Sequence, residues 1–195
     1  MKRIIIVIVI LFCTASVQAS TTSQNNKIET LKKSFLNKNW KRFANNFPKT
    51  FDAFLEVYGY DDEGPMPLYS EGYEHIQFLF SDDRILKAFY LQKLLNLTKG
   101  YMWNADGPTI LQIHVRNLIN NNPYIISKFL EKQPDEFVKD FLKCAIATPH
   151  PEPDNRPYYD KLLKTIELYE NYSDKIFRLF KDAHQELMEE WPPLH

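Results

Sequence analysis

The sequence predicts an all-α protein, an irregular bundle of about nine amphipathic helices, and three observations carry that expectation. Apolar residues recur at spacings of three and four, the period of an α-helix. No run alternates convincingly between apolar and polar in the manner of a half-buried strand. Four of the five glycines, at 59, 64, 100 and 107, fall where a helix ends or a turn begins.

The first segment reads as an export signal. Lys2 and Arg3 form a short positive region, Ile4 to Phe12 is an apolar run of nine, and Val17-Gln18-Ala19 supplies short side chains before Ser20. Cleavage between Ala19 and Ser20 is the expectation, leaving 20–195 as a single helical domain that is periplasmic or secreted. A retained anchor is disfavoured, since the apolar stretch falls short of the roughly 20 residues that span hydrocarbon. A lipidated Cys13 is disfavoured too, because Phe12 stands where a small residue is needed.

The mature chain then runs through its stripes in order. Ile28, Leu31, Phe35, Leu36, Trp40 and Phe43 make the first. Phe47, Phe51, Phe54, Leu55 and Tyr58 make the second, closed by Gly59 in the place of a left-handed C-cap. A third follows Ser70 with Tyr73, Ile76, Leu79 and Phe80. Ser81 with Asp82 and Asp83 reads as a cap opening a long helix through Ile85, Leu86, Phe89, Tyr90, Leu94, Leu95 and Leu97, stopped at Gly100. Pro108 starts a segment with Ile110, Leu111, Leu118 and Ile119. Pro123 and Pro134 open two more, the second carrying Phe137, Val138, Phe141, Leu142, Ala145 and Ile146. Thr148 to Pro157 holds four prolines in ten residues and reads as a loop. Two last stripes follow, one through Tyr159, Leu162, Leu163 and Ile166 and one through Ile176, Phe177, Phe180, His184, Leu187 and Trp191. Short loops between such helices give a bundle, with a short helix-pair solenoid as the alternative.

Charge and cysteine content narrow the classes. The chain has 24 Lys+Arg against 25 Asp+Glu, and loss of Lys2 and Arg3 with the signal leaves it mildly acidic, which offers no footing for nucleic acid. Of its two cysteines only Cys144 survives cleavage, so no internal disulfide forms; its apolar neighbours place it in the core.

Catalytic and cofactor motifs are missing from the sequence. The five histidines never occur as H-E-x-x-H, no C-x-x-C supplies zinc, and glycine-rich phosphate loops are absent, so no cofactor or metal is expected. His114 and His184 continue apolar stripes and read as packed core histidines. Glu71, Glu74 and His75 lie within two helical turns, and His150 with Glu152 makes a second pair; either set would serve an exported hydrolase, the competing reading. A structural homo-oligomer component is a further alternative. Two loops stand out. Tyr60, Asp61, Asp62 and Glu63 place three acids beside aromatics, and Trp103 with Asp106 forms a second aromatic-acidic segment. Aromatics with adjacent charge suit a protein interface, so these six residues are the candidate partner-binding set.

Tyr-Gly-Tyr-Asp-Asp from 58, a His-Ile helix ending in Phe-Leu-Phe, Trp103-Asn104-Ala105-Asp106, and Pro149-His150-Pro151-Glu152 follow one another in that order. In this order the chain resembles small secreted all-helical bacterial immunity proteins, antagonists of antibacterial toxins. The resemblance implies a non-catalytic periplasmic inhibitor that binds a cell-wall or membrane-targeting toxin, with no nucleic-acid partner and no membrane contact beyond the signal segment.

Overall fold

A computed structural model of the chain describes residues 25–100, 107–146 and 156–190, within which ten α-helices and one two-stranded hairpin form. The all-helical expectation holds. The signal segment lies outside the described residues, and no described helix is long and apolar enough to cross a membrane. The chain divides into two compact units, meeting in sequence between Phe47 and Pro48.

The first unit contains α1, 25–36, and α2, Trp40–Asn46. One continuous stripe was expected here, but Lys38 takes a left-handed backbone with φ of 51° and breaks it. Asn39 then caps α2, its side-chain oxygen accepting the Arg42 N–H at 3.1 Å. Leu36, the last residue of α1, is 73% exposed and off the stripe, while Phe43 stays buried against Phe35 and Phe47.

In the second unit α3, Phe51–Tyr58, is capped by Thr50, whose hydroxyl accepts the Ala53 N–H, and Asp52 favours the positive end of its dipole. Gly59 is extended and not left-handed; it is required because a Cβ there would lie 2.5 Å from the Leu55 carbonyl oxygen. The acidic segment expected as a loop is a hairpin, β1 Tyr60–Asp61 against β2 Gly64–Pro65, antiparallel with Tyr60 opposite Pro65. Next comes α4, Gly72–Phe80, with Ile76 and Leu79 buried but Tyr73 outside the core at 55% exposure.

The long helix expected from Ser81 is two pieces. Ser81 ends α4 by donating its hydroxyl to the Phe78 carbonyl, and Asp82 caps a single 3₁₀ turn, Asp83–Leu86. Lys87 is extended, at φ −69° and ψ 140°, and only then does α5 begin, Ala88–Leu97, leaving Phe89 68% exposed. The remaining helices are α6, Gly107–Asn121; α7, Pro123–Leu130; α8, Asp135–Ile146; α9, Arg156–Glu170; and α10, Asp174–Glu190. The prolines at 123 and 134 act as expected, Pro123 as a first helical residue and Pro134 just before α8. The proline-rich loop is shorter than expected, since α9 takes up Arg156 and Pro157.

Packing within this unit has an order. α4 lies on α6, α6 on α8 and α8 on α10, so alternate helices form one row, while α3 meets α5, α7 meets α9, α5 also meets α8, and α9 also meets α10. That pairing of each helix with its next-but-one neighbour is the local grammar of stacked helix pairs. Burial of Phe141, Leu142 and Cys144 on α8, and of Leu111 and Val115 on α6, fills the row's centre. Each such large apolar side chain contributes about 1.5–3 kcal/mol on removal from water. Polar ties cross the seams: Arg116 Nε donates to the Ala145 carbonyl at 2.7 Å, and the Tyr169 hydroxyl donates to the Ile119 carbonyl at 3.0 Å.

Candidate functional site

The hairpin bearing Tyr60, Asp61, Asp62 and Glu63 is held at its base. Met66 N–H donates to the Gly59 carbonyl and Leu68 N–H to the Val57 carbonyl, and the Leu68 side chain is fully buried. At the tip Asp61 accepts the Glu63 N–H at 2.8 Å, and Gly64 supplies a φ of 123° that a side chain rarely adopts. Tyr60 is 60% exposed with its ring edge-on to Tyr69 at 5.6 Å, and Asp61, Asp62 and Glu63 all face solvent. Four of the six candidate residues thus come together on one small, anchored protrusion. The other two, Trp103 and Asp106, lie outside the described residues.

The Glu71, Glu74 and His75 set is not assembled as a solvent-facing acid-base group. Glu71 sits at the N-terminal cap of α4 and accepts the Ser70 hydroxyl at 2.6 Å, and Glu74 is exposed. His75 is buried at 1% exposure, sharing a 3.1 Å hydrogen bond between Nδ1 and the Tyr58 hydroxyl. His150 and Glu152 lie outside the described residues. Among the described residues no group of three or more His, Cys, Asp or Glu is placed to hold a metal ion.

Cys144 is fully buried as expected, and burial pushes its thiol up, so it is not a thiolate nucleophile at neutral pH. His114 and His184 depart from expectation, being half-buried and not core. Burial still holds both imidazoles below their ordinary value. Lys93 is lowered to about 8 by burial and, secondarily, by the charge of Lys49.

Sequence reasoning missed one feature altogether. Where the 3₁₀ turn replaces a helix, a cleft of about 150 Å³ opens between Phe80, Asp83 and Leu86 on one side and His114, Asn117 and Asn121 on the other. The His114 ring stacks on Phe80 at 5.1 Å and 19°. The signal available was the polar residues at 114, 117 and 121, spaced along one edge of α6 beside its apolar stripe, with Asn122 following at the cap of α7.

Against known proteins the chain stands apart: no family model matches it, and neither a curated protein nor a solved structure does.

Proposed function

We propose that the protein is an exported, non-catalytic binding protein that neutralises an antibacterial toxin by direct contact, with the hairpin as its recognition surface. Export rests on the segment before Ser20, and the mature protein then acts in the periplasm or outside the cell. One observation carries the binding reading: an exposed tyrosine, braced by a second tyrosine, stands beside three solvated acids on a hairpin whose base is pinned by Leu68. A preorganised loop loses little conformational entropy on binding, and tyrosine is among the residues that dominate interface energetics. Adjacent acids steer a basic partner and speed its encounter. The partner is therefore a protein with a basic face.

The test compares wild type with Tyr60→Ala and with the triple change Asp61→Asn, Asp62→Asn, Glu63→Gln. All four side chains are exposed, so the variants keep the fold. The expected result is capture of one toxin by wild type and its loss with Tyr60→Ala, at a cost of roughly 2 kcal/mol or more, about 30-fold in affinity. The triple variant slows association and reduces its salt dependence. Equal capture and equal toxin protection by all three proteins would defeat the reading.

A further inference from the structure

The cleft beside the 3₁₀ turn has a lining of one sign. Asp83 contributes a carboxylate, Asn117, Asn121 and Asn122 contribute amides, His114 an imidazole, and among the described residues no lysine or arginine lines it. Neighbouring Asp82 is taken: Arg84 grips it with Nε at 2.7 Å and a terminal nitrogen at 2.6 Å. Among the described residues Asp83 has no such cation. Asn122 donates through its amide nitrogen to the Leu118 carbonyl at 3.2 Å, which leaves its amide oxygen as an open acceptor. The cleft also sits at the C-terminal end of α6, where the helix dipole presents partial negative charge. Burial keeps His114 below its ordinary value, so at neutral pH its ring adds no positive charge. An anionic ligand would meet the Asp83 carboxylate here with no cation among the described lining residues to offset it.

Shape narrows the choice further. A volume of about 150 Å³ is below the roughly 300–1,000 Å³ of pockets that enclose whole cofactors or drug-sized ligands. It accommodates one side-chain-sized group. The stacked Phe80 and His114 rings give that group an aromatic wall, the surface on which a planar delocalised cation packs best. A compact ammonium would use the carboxylate but not the wall.

We propose that this cleft binds a guanidinium group, packed against the Phe80–His114 pair, with its N–H groups donating to Asp83 and to the amide oxygens of the three asparagines. The guanidinium comes either from free arginine or from an arginine side chain presented by a peptide or protein. The cleft lies at the C-terminal end of α4 and the acidic hairpin precedes its N-terminal end, so the two are separate sites and stand or fall separately.

The experiment titrates the purified full chain with arginine amide, the tripeptide Gly-Arg-Gly, lysine amide and citrulline amide, following the ring-proton signals of His114 and the side-chain amides of Asn117 and Asn121 by NMR. Arginine amide and the tripeptide are expected to shift these signals saturably, with Kd in the range of about 1 mM. Citrulline, the uncharged isostere, and lysine bind at least about tenfold more weakly. Asp83→Asn, at an exposed position, weakens arginine binding about fivefold while leaving the circular dichroism unchanged. Tighter binding of the tripeptide than of arginine amide assigns the site to a peptide or protein ligand; the reverse assigns it to the single amino acid. Absence of any His114 shift overturns the proposal, as does citrulline or lysine binding as well as arginine, or arginine binding indifferent to Asp83→Asn.

Discussion

The hydroxyl of Tyr58 and Nδ1 of His75 lie 3.1 Å apart in the core, the two rings meeting edge-on at 5.9 Å, so a buried polar pair joins the end of α3 to α4 beneath the hairpin. Burial, with Glu71 adding to it, pushes the Tyr58 phenol well above its ordinary value and keeps the hydroxyl protonated. Tyr58→Phe keeps the ring and removes this partner from His75, at an expected cost of about 1–2 kcal/mol in denaturant unfolding. Tyr58→Ala adds a cavity beneath the hairpin and costs about 3–5 kcal/mol. If Tyr58→Phe matches wild type, the hydrogen bond contributes nothing.

Two glycines thirteen residues apart should respond oppositely to the same change. Gly59→Ala forces a Cβ to within 2.5 Å of the Leu55 carbonyl oxygen, which already accepts the Gly59 N–H, and is expected to destabilise by about 1–3 kcal/mol. Gly72→Ala meets only the Tyr58 ring at 3.6 Å, an ordinary contact, at the start of α4. It is expected to be neutral or to stabilise by up to about 0.5 kcal/mol. Thermal unfolding of the two variants side by side decides it.

Lys175 clasps three elements. Its ammonium lies 2.8 Å from the Asp135 carboxylate at the start of α8 and donates to the Glu131 and Gln133 carbonyls at 3.3 and 3.0 Å, just past α7. Glu186 on α10 instead takes two cations, Lys139 at 2.6 Å and Lys143 at 2.7 Å, at a partly exposed seam. Lys175→Met, which strands two carbonyls, is expected to cost about 1–2 kcal/mol. Glu186→Gln keeps an amide oxygen for the two lysines and leaves no backbone carbonyl without its donor, and should cost no more than about 1 kcal/mol. Urea midpoints in the reverse order would contradict this ranking.

Stability should fall as the medium is acidified. Burial lowers His114 and His184 in the folded chain, so unfolded imidazoles protonate first, and stability present above the ordinary value of about 6.5 is lost below it. The hydrogen bonds from Arg84 hold Asp82 at about 2, and those from Lys139 and Lys143 lower Glu186, so both carboxylates act in the same direction at still lower pH. Melting temperatures are expected to be highest near neutrality and to decline from about pH 6.5 downward. His114→Gln should flatten the upper part of that decline. A maximum near pH 5 would contradict the assignment.

Helix identity was readable because apolar spacing at three and four survives any arrangement of the bundle: α7 and α8 start where Pro123 and Pro134 said they would. The interruptions at Lys38, left-handed, and Lys87, extended, were not readable, since lysine carries no turn preference. The role of His75 was half visible. It lies one residue before Ile76 and four before Leu79, on the buried face, but its partner Tyr58 is seventeen positions away. The acidic hairpin was visible as composition and the cleft was not, because its walls come from segments around 80–86 and 114–122 that only the fold brings together.

The row of alternate helices also determines where disturbance stops. α8 is flanked by α6 and α10 and covered by α5, whereas α4 has a row neighbour in α6 alone. Amide hydrogen exchange should therefore be slowest in α8 and quicken toward α4, beside both the hairpin and the cleft. The unit thus carries both proposed recognition surfaces at the end expected to be least protected, where a bound partner would tighten the structure most without rebuilding the middle.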